Sequence, residues 1–172
     1  MNIGSLCTRE VITIDGGASL AQAAALMRRH HVGALVVTGE TELGTAVVGV
    51  VTDRDLVVQA LAGASTSAAP TVGALMHAPA VTVGDDSGVG AALEQMQRHG
   101  LRRLLVTDAQ GQLVGIVSLD DIVAGLAAAI GLAAQVIGAA RDREARERAE
   151  APPPPPLPRL HIPAMGTAGW KV

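Results

Sequence analysis

The chain is short of the residues that most often carry chemistry. Cys7 is the only cysteine in 172 residues. That excludes an internal disulfide and a multi-cysteine metal site. Phe and Tyr are absent, and the single Trp, Trp170, lies two residues from the end. A core must therefore be packed from Val, Leu, Ile, Ala and Met. An aromatic platform for stacking the bases of a single strand is also missing. Charged residues make up only 17% of the chain, and a net charge of −3 gives no electrostatic footprint for DNA or RNA. His30, His31, His77, His99 and His161 show no i, i+4 metal spacing, so no metal site is expected. No Gly-x-Ser-x-Gly, phosphate-loop or two-carboxylate arrangement is present, so no catalytic residue and no enzyme are expected. The opening MNIGSLCTREV has no basic stretch followed by an apolar one. No secretory leader is expected, and the expected compartment is the cytoplasm.

What is present is apolar and repetitive. Hydrophobic residues account for 49% of the chain, enough for a real core. IGSLCTREVITI, from Ile3, aligns with VGALMHAPAVTV, from Val72, at an offset of 69. At the same offset MRRHHVGALVVT, from Met27, aligns with MQRHGLRRLLVT, from Met96. A longer loop in the first copy, GETELGTA, shortens the offset to 66, and VVGVVTDRDLV then aligns with LVGIVSLDDIV. Each copy reads as strand, helix, strand, strand, helix. In the first, Val11–Ile14 is a short strand, and Ser19 is the N-cap of an Ala-rich helix reaching about His31. Ala34–Thr38 and Ala46–Val51 form a hairpin, and Thr52 caps a helix to about Leu61. Neither unit can bury its own sheet face, so the two are expected to pack together. The fold class is α/β: two repeats related by a pseudo-twofold axis, each a small, mainly three-stranded sheet with two helices.

Each copy closes its hairpin with a glycine, two aliphatics, a hydroxyl residue, two variable residues and an aspartate. These are Gly49-Val50-Val51-Thr52-Asp53-Arg54-Asp55 and Gly115-Ile116-Val117-Ser118-Leu119-Asp120-Asp121. Thr-x-x-Asp or Ser-x-x-Asp before an apolar run is also a helix capping box. Two copies, each behind a glycine-led strand within a matching repeat, call for more than capping. The sequence resembles a tandem pair of cystathionine-β-synthase (CBS) domains, a Bateman module, over about residues 2 to 125. A stand-alone protein of that type is regulatory.

In that family the hydroxyl residue and the Asp three residues later bind the ribose of an adenosine ligand. The resemblance thus assigns Thr52 with Asp55, and Ser118 with Asp121, to ribose. A carboxylate at a helix start can accept two hydrogen bonds from a vicinal diol. The resemblance also places Thr8, Thr13, Val32, Gly33 and Ile116 around the ligand of Ser118 and Asp121. His77, Thr82, Leu101 and Val50 would surround the ligand of Thr52 and Asp55. With no Phe or Tyr, adenine must lie between aliphatic side chains. Arg54, Arg102 and Arg103 are the phosphate candidates. The first repeat has Gly33 and Ala34 where the second has Arg102 and Arg103, and Asp120 stands where the first has Arg54. One good site and one weak or differently selective site are expected.

The expected organisation is residues 1–62 for the first repeat, 63–71 for a linker and 72–125 for the second repeat. Residues 126–150 form an extension helix, and 151–172 a proline-rich, disordered tail. Ile122 to Ala140 carries no charge, but it is rich in Ala and Gly and reads as a soluble packing helix with no membrane role. Its apolar stripe points to self-association as a homodimer. The expected ligand is AMP, ADP or ATP, acting on a regulated protein encoded elsewhere, with no catalytic cofactor. A ligand-independent oligomerisation scaffold, or a binder of S-adenosylmethionine or a dinucleotide, are the alternatives.

Overall fold

The structure, a computed structural model, describes residues 1–42, 44–62, 70–153 and 155–156. The segment between the repeats and the proline-rich tail fall largely outside the described residues. The chain divides into two compact units, Met1–Ala128 and Ala129–Val172. Both repeats lie in the first.

The first repeat runs β1 (Thr13–Asp15), α1 (Leu20–His30), β2 (Ala34–Thr41), β3 (Gly44–Thr52) and α2 (Asp53–Ala62). The second runs α3 (Val72–Leu75), β4 (Thr82–Gly84), α4 (Val89–His99), β5 (Arg103–Thr107), β6 (Leu113–Ser118) and α5 (Leu119–Glu150). Each repeat makes a three-stranded sheet, in the orders β1-β2-β3 and β4-β5-β6. The first pair in each is parallel and the second antiparallel. The hairpins slip register at matching places, Val37/Thr38 and Val106/Thr107. The α/β architecture is the one the repeat implied.

Local chemistry explains the element boundaries. Ser19 and Gln22 close a full capping box: the Ser19 amide donates to Gln22 Oε1 at 2.8 Å, and the Gln22 amide donates to Ser19 Oγ at 3.3 Å. The equivalent Gly88 caps α4 without a side-chain bond. Each of these helices ends on a left-handed residue, His31 at φ 53° and Gly100 at φ 64°. Glycine adopts that conformation without a steric penalty and histidine does not. Ala23 and Met27 on α1, one turn apart, are buried, as are Ala92 and Met96 on α4.

The cores are exchanged between repeats. Ile3, fully buried, packs with Val83, Met96, Leu104 and Ile122, all from the second repeat. Val72, its equivalent at the start of the second copy, packs with Ile14, Leu35 and Val51 of the first. Fully burying such a side chain is worth about 1.5–3 kcal/mol. These two exchanged segments tie the repeats together, so neither copy completes its core from its own span of sequence.

Helix α5 begins within the second core, through Leu119 and Ile122. A methyl group on Gly125 would stand 2.5 Å from Leu6, which fixes this turn close to the N-terminal segment. Further along, Leu126, Ile130, Leu132, Val136 and Ile137 are 40–71% exposed. The sequence points to a second copy meeting this face, which is exposed in the single chain. By length and composition alone α5 can cross a membrane. Its most apolar window has a mean hydropathy of 2.1 and is 6% buried.

Candidate functional site

Strand β3 passes directly into α2 at Thr52, and β6 into α5 at Ser118. At the first junction the Thr52 hydroxyl and amide both donate to Asp55 Oδ2, at 2.6 and 2.9 Å. The Asp55 amide donates back to Thr52 Oγ1 at 3.3 Å. At the second, the Ser118 hydroxyl and amide donate to Asp121 Oδ2 at 2.6 and 2.8 Å, and the Asp121 amide donates to Ser118 Oγ at 3.1 Å. The capping reading of these residues is therefore correct. Each carboxylate also keeps a second oxygen, and each pair lines a cavity.

The glycines that lead the two motifs have a steric role. A Cβ on Gly49 would stand 2.7 Å from the His77 carbonyl oxygen, and one on Gly115 2.8 Å from that of Thr8. These contacts exist because each hairpin is met by the N-terminal segment of the other copy. Val50 and His77 exchange backbone hydrogen bonds of 3.1 and 2.8 Å, and Thr8 and Ile116 exchange bonds of 2.9 and 3.0 Å. Two clefts result, each walled by both repeats.

The first cleft, of 470 Å³, holds Thr52 and Asp55 with Val50, His77 and Leu101. Arg54, Arg102 and Arg103 also line it. The second, of 170 Å³, holds Ser118 and Asp121 with Thr8, Val32, Gly33 and Ile116. Two expected residues fall elsewhere. Thr13 pairs with Val36 inside β1 and does not line the second cleft. Thr82 lines a separate neighbouring cavity of 1050 Å³ rather than the first cleft. The cleft positions are the preceding residues, Val11 and Ile12 in one copy and Ala80 and Val81 in the other. Sequence reasoning also missed Glu10, which lines the second cleft, and the fact that Arg103 lines both. The 69-residue offset offered a signal for the apolar pairs but none for Arg103.

The two carboxylates have different neighbours. His77 Nε2 lies 3.2 Å from Asp55 Oδ1. Burial pushes the Asp55 carboxyl up, but hydrogen bonds from Thr52 and the nearby His77 together outweigh it, so its pKa lies below the ordinary value. The position equivalent to His77 is Thr8. No described residue donates to Asp121 Oδ1. Among the described residues, no group of three or more His, Cys, Asp or Glu is placed to hold a metal ion.

The CBS domain family model matches residues 3–61 and 72–128, one match for each copy. The chain belongs to the CBS domain family. An uncharacterized protein of Methanopyrus kandleri is 31% identical over 71% of this chain, which spans 61% of that relative's length. Hypoxic response protein 1 of Mycobacterium tuberculosis is 34% identical over 71% of this chain and 78% of its own. A solved structure of hypoxic response protein I with two coordinated zinc ions aligns at a TM-score of 0.58 and 29% identity, covering 72% of this chain and 97% of that one. CBSX2 in complex with AMP aligns at a TM-score of 0.59 and 26% identity, covering 73% and 95%. CBS domain proteins are generally regulatory.

Proposed function

We propose that this CBS pair is a sensor that binds an adenosine-containing nucleotide, AMP, ADP or ATP, between its repeats and signals occupancy to a partner. The observation that carries this reading is the duplicated pair of Thr52 with Asp55 and Ser118 with Asp121. Each is a capped carboxylate facing a cleft whose opposite wall comes from the other repeat. Each aspartate can offer an oxygen to the two hydroxyls of a ribose, with the Thr or Ser hydroxyl beside it. Aliphatic walls, Val50 with Leu101 and Val32 with Ile116, suit a purine face where no aromatic is available. CBSX2, a solved relative, holds AMP, which supports the choice of ligand.

A ligand gripped by both repeats binds more tightly to the packing that closes the cleft, and this difference shifts the population of the two packings. The exposed face of α5 suits a partner surface, and we propose that this partner is a second copy of the chain. A second reading, an oligomerisation scaffold with no ligand, draws on the same exposed face. Isothermal titration with AMP and ATP separates the two. The sensor reading expects saturable heat in the native chain and none when Asp55 and Asp121 are both replaced by Ala, with the oligomeric state unchanged by sedimentation. Unaltered binding in the double variant would show that the ribose residues are wrongly assigned.

A further inference from the structure

The two clefts share a plan and differ in charge. Arg54, Arg102 and Arg103 line the first together with Asp53, Asp55 and His77. In the second, Arg103 is the only cation among the described lining residues, which also include Glu10 and Asp121. Arg103 is thus shared. A methyl group at Gly33 would stand 3.5 Å from Arg103 Nη2 and 3.3 Å from Asp53 Oδ2. The guanidinium therefore lies over the bare backbone of Gly33, a wall of the second cleft, while the neighbouring Asp53 belongs to the first.

We propose that anionic nucleotides occupy the Thr52–Asp55 cleft, and that the Ser118–Asp121 cleft takes an adenosine compound whose 5′ substituent carries no net negative charge. Arg103 couples the two. This rests on the reading of both clefts as adenosine sites and specifies the ligand class of each. A phosphate in the second cleft meets the Glu10 carboxylate, and like charges a few ångströms apart repel. A phosphate in the first cleft recruits Arg103 as a charge-assisted donor. The second cleft then loses its cation, so filling the first with nucleotide raises the barrier to a second anion. A neutral or cationic 5′ group gains from Glu10 and does not need Arg103.

The test is isothermal titration of the full chain with AMP, and with adenosine as the ligand that lacks phosphate. AMP is expected to saturate at one per chain, and adenosine to bind the AMP-loaded chain. Asp55→Ala should abolish the AMP heat, and Asp121→Ala the adenosine binding that follows AMP. Glu10→Gln should admit a second AMP, tightening its binding by about threefold to tenfold for one removed charge. Glu10 is exposed and caps no helix, so this variant remains informative if an aspartate variant fails to fold. Two equal AMP sites in the native chain, AMP binding lost more in Asp121→Ala than in Asp55→Ala, or no gain in Glu10→Gln would each overturn the division. Absence of heat with both AMP and adenosine would overturn the adenosine reading itself. Binding of both with another distribution would overturn only the division.

Discussion

The Thr52–Asp55 and Ser118–Asp121 clefts are built from the same parts and end up chemically different. The shared parts are those the backbone demands: a glycine where another chain segment crosses, a hydroxyl and a carboxylate that cap a helix, and aliphatic residues that fill a core. The differing parts are the side chains that look into the cleft. His77 stands opposite Asp55 where Thr8 occupies the equivalent place, and three arginines line one cleft while one lines the other. The two copies share the residues that specify the fold and differ in side chains that line the clefts.

The comparison predicts equal responses where the parts are shared. Gly49→Ala and Gly115→Ala each place a methyl group against a carbonyl oxygen, at 2.7 and 2.8 Å. Each should cost about 2–3 kcal/mol, as overpacking at a rigid contact does. Thermal melts would read this as similar drops in Tm. A large drop for one variant only would mean that the repeats are not held by equivalent contacts.

Where the parts differ, the responses should differ too. His31 closes α1 with a left-handed backbone, while Gly100 does the same for α4. His31→Gly should therefore stabilise the chain by up to about 1 kcal/mol, measured by denaturant midpoint. The reverse change, Gly100→Ala, should destabilise it. A loss on His31→Gly would show that the imidazole contributes more than its backbone strain costs.

The smallest effect is electrostatic. The pKa of Asp55 lies below its ordinary value. Its capping bonds therefore add stability above the ordinary carboxylate pKa, and that stability is lost as pH falls through the depressed value. Carboxyl chemical shifts followed through an acid titration should give Asp55 a low midpoint that rises when His77 is replaced by Ala. A midpoint at or above the ordinary value would mean that burial outweighs the hydrogen bonds.

Much of this plan is legible in the sequence, for identifiable reasons. Ser19 with Gln22, and Thr52 with Asp55, are local signals, and local signals fix helix starts. The duplicated strands follow from apolar runs, and the proposed ribose pairs rest on resemblance to a family whose model matches both copies. The exchange of Ile3 and Val72 between cores is a long-range event with no local marker. Thr13 and Thr82 fall just past the residues that line the clefts, because tertiary packing, not a local pattern, sets where an extended segment meets a cleft. Arg103 reads as a basic residue at a turn. Only the approach of Gly33 and Asp53 in space makes it common to both clefts.

The proposed function rests on an adenine nucleotide bound between the repeats. With Trp170 as the only aromatic side chain besides histidine, the protein absorbs weakly in the near ultraviolet, so a bound adenine dominates its spectrum near 260 nm. The direct measurement is that spectrum on the purified chain, followed by denaturation and mass analysis of whatever is released, and by titration with AMP and ATP if nothing is. An adenine nucleotide in the released fraction, or saturable heat with AMP or ATP in the empty protein, is the expected result. A protein that releases no adenine compound and shows no heat with either nucleotide contradicts it.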